Sequence, residues 1–149
     1  MIEIERKFLV SSNAWKLGFV ESETLIRQAY LFDDALKSVR IRIKSDRALL
    51  TIKMGKGVAR DEFEYDIPME DAMKMIEGAK LPCLEKTRYV VLNDGDRWEV
   101  DVFQGRWSGL ILAELELTHE EQSFSIPSWL GEEVTSNPQY LNANLFKQL

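Results

Sequence analysis

A charged residue at every second position, repeated in stretch after stretch, constrains this chain more than any other feature of its sequence. The first case is Glu3-Ile4-Glu5-Arg6-Lys7-Phe8-Leu9-Val10. Side chains on a strand alternate faces with period two. Glu3, Glu5 and Lys7 therefore share one face, and Ile4, Arg6, Phe8 and Val10 share the other. One such strand is ordinarily a solvated surface strand. Here the pattern returns. Val39–Ile43 aligns Arg40 with Arg42, Ala48–Met54 aligns Leu49, Thr51 and Lys53, and Arg60–Ile67 aligns Glu62 with Glu64. Leu84–Leu92 aligns Lys86 with Arg88, Arg97–Phe103 aligns Glu99 with Asp101, and Leu110–Leu117 aligns Glu114 with Glu116. Leu25–Phe32 completes the set, with Ile26, Gln28 and Tyr30 on one face.

Helical signals are few. Ser12 offers a cap to a short helix that ends near Gly18, and Glu70 to Glu77 reads as a helix with acidic residues in its first turn and Gly78 at its end. Its methionines and Ile76 read as a buried stripe. Pro127-Ser128-Trp129 and Asn137-Pro138 read as two further helix starts, both packed outside a sheet. Asn93-Asp94-Gly95 suits a hairpin turn. The two glycines around Lys56 match no phosphate-cradling fingerprint.

Eight strands and few helices predict an α+β, mainly β, single domain over residues 1–149. The expected architecture is an eight-stranded antiparallel closed barrel with a few helices outside, because closure removes exposed strand edges. Two orientations are open. The charges can face water around an apolar barrel core. Alternatively, the apolar faces pack outward against helices and the charges line the lumen. In the second case six cations (Lys7, Arg40, Arg42, Lys53, Lys86, Arg88) meet eight carboxylates (Glu3, Glu5, Glu62, Glu64, Glu99, Asp101, Glu114, Glu116), a formal charge of −2. An isolated buried ion costs several kcal/mol, so a dry lumen of this content would not fold. A wet one holding divalent cations and a polyanion would. Carboxylates are hard oxygen ligands suited to Mg²⁺ or Mn²⁺, and guanidinium and ammonium groups take phosphate oxygens.

A net charge of −6 argues against a general nucleic-acid binder but not against a small polyanion in a local cationic cluster. Cys83 is the only cysteine, so no intrachain disulfide is expected, and with no apolar run of membrane length and no leader-like start the expected location is the cytoplasm. The sequence leaves the oligomeric state open, with a homodimer as the assembly considered. Cys83 has no basic partner placed by the sequence, and His119 reads as a surface residue.

Glu3-Ile4-Glu5-Arg6-Lys7 resembles the ExExK signature of the CYTH superfamily, the triphosphate tunnel metalloenzymes. Arg40–Arg42, Lys53, Glu62–Glu64, Lys86–Arg88, Glu99–Asp101 and Glu114–Glu116 stand in blocks similar to the family's and in its order, as do Glu133-Val134-Thr135, Tyr140 and Asn142. The resemblance covers nearly the whole chain. It implies a barrel forming a tunnel that binds a small-molecule triphosphate and depends on Mg²⁺ or Mn²⁺, with neither nucleic acid nor membrane as partner. The small bacterial members hydrolyse inorganic tripolyphosphate or related triphosphates. Alternatives within reach are a thiamine triphosphatase, a class IV adenylyl cyclase and a non-catalytic polyphosphate- or nucleotide-binding module. By position, Lys7, Arg40, Arg42, Lys53, Lys86 and Arg88 would hold substrate. Glu3, Glu5, Glu114 and Glu116 would form the main metal site, with Glu62, Glu64 and Asp101 in a second site or positioning water. Lys86 would pair with Tyr30 to aid hydrolysis. Ser136-Asn137-Pro138-Gln139 departs from the acidic residues and arginine expected there, so contacts at the tunnel end are expected to differ.

Overall fold

The computed structural model describes residues 1–149. Its strands are β1 (Ile2–Val10), β2 (Phe19–Asp33), β3 (Lys37–Lys44), β4 (Arg47–Met54), β5 (Ala59–Ile67), β6 (Leu84–Asn93), β7 (Asp96–Phe103), β8 (Ile111–Glu116) and β9 (Leu130–Glu133). Helix α1 (Met69–Gly78) follows β5, and α2 (Asn142–Lys147) ends the chain. The sheet order is β5-β4-β3-β2-β6-β7-β8-β1, all antiparallel, and β1 returns to pair with β5. Eight strands thus close the expected barrel. The short β9 adds to the far end of β1, beyond the β5 pairing. No helix is long and apolar enough to cross a membrane.

The apolar faces do point outward. Phe8, Val91, Trp98, Val100, Ala113 and Leu115 form one outer cluster, which Trp15, Phe124 and Trp129 cover. Trp98 meets Phe8, Phe124 and Trp129 edge-on, with ring centroids 5.7, 5.7 and 5.8 Å away. These are favourable aromatic geometries. On the other side of the barrel Ile41, Ile43 and Ala48 pack in one cluster with Ala72 and Ile76 of α1. The methionine stripe is mixed: Met69 and Met73 pack against this cluster, whereas Met75 is exposed.

Three sequence expectations are corrected by packing. Pro127-Ser128-Trp129 starts no helix. It is a turn into β9, because Trp129 is buried beside Trp98 and its carbonyl accepts from the Ser11 amide at 2.9 Å. Gly131 permits this approach, since a Cβ there would lie 3.2 Å from the Leu9 carbonyl oxygen. The strand expected from Leu25 begins at Phe19, because Phe19 and Val20 pair with Leu92 and Val91 although most of the added stretch is exposed. Asn137-Pro138 does start a 3₁₀ turn, Pro138–Tyr140, that leads into α2. However, α2 does not lie outside the sheet. Its Leu145 and Phe146 join Leu84, Phe103 and Leu112, which share the strand phase of Lys86, Asp101 and Glu114, in an apolar floor beneath the charged lumen.

The two remaining local expectations hold. Ser12 caps a 3₁₀ turn, Asn13–Leu17, by accepting from the Ala14 amide. Asp94 and Gly95 both have positive φ, 48° and 82°, as a two-residue β6–β7 hairpin turn requires.

Candidate active site

Barrel closure sets the charges of neighbouring strands side by side. Register places Glu5 opposite Glu116, Lys7 opposite Glu114, and Glu99 opposite Glu114. It likewise places Arg88 opposite Asp101, Arg40 opposite Tyr30 and Thr51, and Lys53 opposite Glu62. Lys7, Arg40, Arg42, Lys86, Arg88, Asp101 and Glu114 are buried, Lys86 and Asp101 at 0% exposure. A solvated face buries no such set, so the charges line the lumen. A cavity of about 170 Å³ holds Glu3, Glu5, Arg40, Arg42, Lys53, Glu62, Glu64, Arg88, Glu114 and Glu116, with no hydrophobic residue in its wall. A second, of about 390 Å³, shares Glu5, Arg40 and Lys53 with it and adds Lys7 and Tyr30. This second cavity opens between the β2–β3 turn and the C-terminal segment.

Within the lumen the cations are held by carboxylates. Asp101 accepts from Lys86 Nζ at 2.7 Å and from Arg88 Nε and Nη2 at 2.7 and 2.8 Å, so both of its oxygens are engaged. Arg88 Nη1 also donates to Glu99 at 2.8 Å. Lys53 lies 2.7 Å from Glu3 and 3.6 Å from Glu62. Thr51 Oγ1 accepts from Arg40 and donates to Glu64, at 3.2 and 3.0 Å. Among the lumen carboxylates Asp101 alone accepts hydrogen bonds from two cations. Burial, with Arg88 and Arg42 nearby, depresses the Lys86 ammonium to about 7, against the pull of Asp101. The stronger base, Arg88, keeps its proton. Asp101 itself is held below its ordinary value, because Arg88 and Lys86 outweigh the cost of burial.

The carboxylates divide into held and repelled groups. Burial pushes Glu3 up, but Lys53 outweighs it and the net shift is downward. Burial also raises Glu114, yet Lys7, Arg88 and Lys86 bring it well below the ordinary range, and Glu5 hydrogen-bonds to it. Glu5 takes the opposite course: burial and the Glu114 charge push it up to about 8. Glu116 is raised by burial and by Glu3, Glu99 and Glu62, and Glu62 by burial and Glu3. Like charges directly opposite on paired strands are destabilising, and Glu5–Glu116 and Glu99–Glu114 are two such pairs.

No three acidic, histidine or cysteine side chains converge on one point. The donor set nevertheless fits a hard divalent cation. Glu114 Oε1 is buried without a hydrogen-bond partner, 3.5 Å from Lys7 Nζ, and Glu5 needs a proton to sit beside it. A cation placed among Glu5, Glu114, Glu116 and Glu3 would replace that proton and the missing donor. The raised Glu5 carboxyl gives a direct check. The folded protein holds a proton on Glu5 that the unfolded chain has lost, so between the ordinary glutamate range and about 8 stability falls as pH rises. In EDTA the melting temperature should therefore drop from pH 5 to pH 7, below the range where Lys86 acts in the opposite sense, and Glu5→Gln should flatten that slope. An unchanged slope in Glu5→Gln would show that Glu5 titrates normally.

The structure does not join Lys86 to Tyr30 by a hydrogen bond. Lys86 Nζ donates to Asp101 and to Asn142, and Tyr30 packs on Phe146 at a centroid distance of 5.5 Å. Sequence reading missed three polar partners. Gln28 and Thr51 were on the right faces but carry no charge to mark a role. Asn142 stood only within the resemblance of the tail. Lys44 and Arg60, also unmarked, line the lumen and its second mouth. Ser136 and Pro138, from the departing stretch, line a further cavity with Thr135, Glu3, Glu5 and Lys7, and Pro138 also lines the second cavity. His119 is exposed and lines no cavity described above.

The CYTH domain model matches residues 1–148. The chain belongs to the CYTH family. Among CYTH relatives, an inorganic triphosphatase of Acetivibrio thermocellus is 45% identical over 147 residues, covering 97% of this chain and 93% of the relative. An inorganic triphosphatase of Nitrosomonas europaea is 37% identical over 153 residues, with 97% of each chain covered. The crystal structure of an inorganic triphosphatase superposes with a TM-score of 0.70 at 35% identity, covering 97% of this chain and 93% of the other. A Pyrococcus horikoshii protein at 15% identity, with 79% of each chain covered, superposes with a TM-score of 0.61, a likeness of fold alone.

Proposed function

We propose that this chain is a divalent-metal-dependent hydrolase of inorganic tripolyphosphate or a closely related triphosphate. The observation that carries the reading is the closed lumen in which buried cations face carboxylates that repel one another. An anion with several phosphoryl groups and a cation together would satisfy both sets. Relatives named inorganic triphosphatase at 45% and 37% identity support it.

In this reading Lys7, Arg40, Arg42, Lys53, Lys86 and Arg88 bind phosphoryl oxygens. Substrate must take Lys53 from Glu3 and share Arg88 with Asp101 and Glu99, exchanging carboxylate for phosphate. Lys53 bridges the halves, lining both cavities. Glu3, Glu5, Glu114 and Glu116 would hold the metal, with Glu62 and Glu64 at the rim. Mg²⁺ or Mn²⁺ would neutralise phosphoryl charge and make water more acidic there. Asp101, with both oxygens engaged by Lys86 and Arg88, orients those two cations. Lys86, with its lowered proton affinity and its ammonium 5.4 Å from the Phe103 ring of the floor, would serve as the base or acid there. Tyr30 lines the mouth cavity with Lys7 and Arg40, where it would contact substrate.

Phosphate release should be measured with tripolyphosphate, ATP and thiamine triphosphate, each with Mg²⁺, Mn²⁺ and EDTA. Release that depends on metal is the expected result. No release from any substrate with either metal would overturn the reading, and cyclic AMP formed from ATP would replace it with the cyclase.

A further inference from the structure

The C-terminal segment bonds two of the six lumen cations directly and reaches a third through Gln28, in each case with an uncharged group. Tyr140 offers its backbone carbonyl to Lys7 Nζ at 2.9 Å. Asn142 Oδ1 accepts from Lys86 Nζ at 2.9 Å and from Gln28 Nε2 at 3.4 Å. Gln28 Oε1 in turn accepts from Arg42 Nε at 2.9 Å. Chemistry fixes both amide orientations. An ammonium only donates, so Asn142 must present its oxygen to Lys86; a guanidinium only donates, so Gln28 must present its oxygen to Arg42 and its nitrogen to Asn142. Gln28 and Lys86 are both at 0% exposure, so the Gln28–Arg42 bond is shielded from bulk water, while the half-buried Asn142 meets them from the cavity wall. Lys86 spends its only other bond on Asp101.

We infer that Asn142, acting with Gln28, is a positioning residue that fixes Lys86 and Arg42 relative to each other. The two cations stand on β6 and β3, on either side of β2. The strands alone leave their long side chains several rotamers. The Arg42–Gln28–Asn142–Lys86 chain of bonds removes that freedom. This rests on the assignment of Lys86 and Arg42 as phosphate ligands made above. Positioning acts through geometry held in place before substrate arrives.

The test measures Kd for tripolyphosphate by calorimetry in EDTA, and KM and kcat in Mg²⁺, for four variants. Asn142→Ala and Gln28→Met are each expected to raise Kd and KM by about tenfold, because each frees one or both cations. The double variant should cost little more than either single one, since the two residues act in series. Leu145→Val loosens α2 without touching the chain of bonds. It should lower the melting temperature while leaving Kd within about twofold of wild type. Unchanged Kd in Asn142→Ala, or fully multiplicative single effects, would overturn the inference. So would a Leu145→Val variant that weakens binding as much as Asn142→Ala at the same loss of melting temperature. If wild type binds tripolyphosphate without turnover, the hydrolase reading fails and the cycle is decided on Kd alone. If it neither binds nor turns over, both fall.

Discussion

Glu114→Gln is expected to lower tripolyphosphate turnover by about 10²–10³-fold, since it removes a charged oxygen from the metal-binding set while keeping the side-chain volume. Glu114 is the buried member of that set and the one with an oxygen lacking any donor. It also faces Glu5 and Glu99, so it is where the unliganded lumen most needs a cation. The fold should tolerate the change better than the chemistry does. Lys7 loses a partner 3.5 Å away, but its ammonium keeps the Tyr140 carbonyl. Glu5 loses the charge that contributes to its raised proton affinity. Two measurements are needed: turnover in Mg²⁺ and Mn²⁺, and the rise in melting temperature on adding Mn²⁺ to protein in a metal-free buffer. Both should be lost together, because a ligand that binds the folded state stabilises it. Wild-type turnover with a wild-type metal-induced shift would remove Glu114 from the metal site. Glu116→Gln, at the exposed rim, should give the same direction with a smaller effect. Arg40→Ala should instead raise KM and leave the metal-induced shift unchanged.

The strand phases were legible because charge alternation is a local signal. Glu3, Glu5 and Lys7 share a face whatever the rest of the chain does. That the face is interior was not legible from any one strand. It depends on the β1–β5 pairing that closes the barrel, where Glu3 meets Arg60. The Pro127 start signal fails for the same reason: it is overridden by burial of Trp129 against Trp98 and by the bond of its carbonyl to the Ser11 amide, more than a hundred residues away. The Gln28–Asn142 bond spans 114 positions in sequence and joins two neutral amides. Neither period nor charge marks such a pair. No hydrogen bond joins Lys86 to Tyr30, the pair that the family resemblance implies; the ammonium donates to Asp101 and Asn142.

Asp101→Asn separates a cation-orienting role from a metal-binding one and should be the most destabilising conservative change in the lumen. It leaves Lys86 and Arg88 buried without their shared anion, and it turns an NH₂ group toward donors that need an acceptor. Breaking a buried pair by removing one partner costs about 3–5 kcal/mol, because the remaining charge stays uncompensated. The loss should depend on pH. The Lys86 ammonium is already depressed to about 7, so the folded protein binds fewer protons there than the unfolded chain does up to the ordinary lysine range. Across that window the contribution of Lys86 to stability rises with pH. Without Asp101 its ammonium is weaker still, and at pH 9 Lys86 is neutral with or without its partner. The deficit of Asp101→Asn against wild type should therefore widen as pH falls below about 7 and be smallest near pH 9. A residue remains at pH 9, because Arg88 stays charged and keeps only Glu99. Tripolyphosphate binding should weaken, since two of its ligands lose their orientation, while the melting-temperature rise on adding Mn²⁺ should persist. If that rise disappears while the pH-dependent deficit is absent, Asp101 is a metal ligand and Lys86 is held by something else.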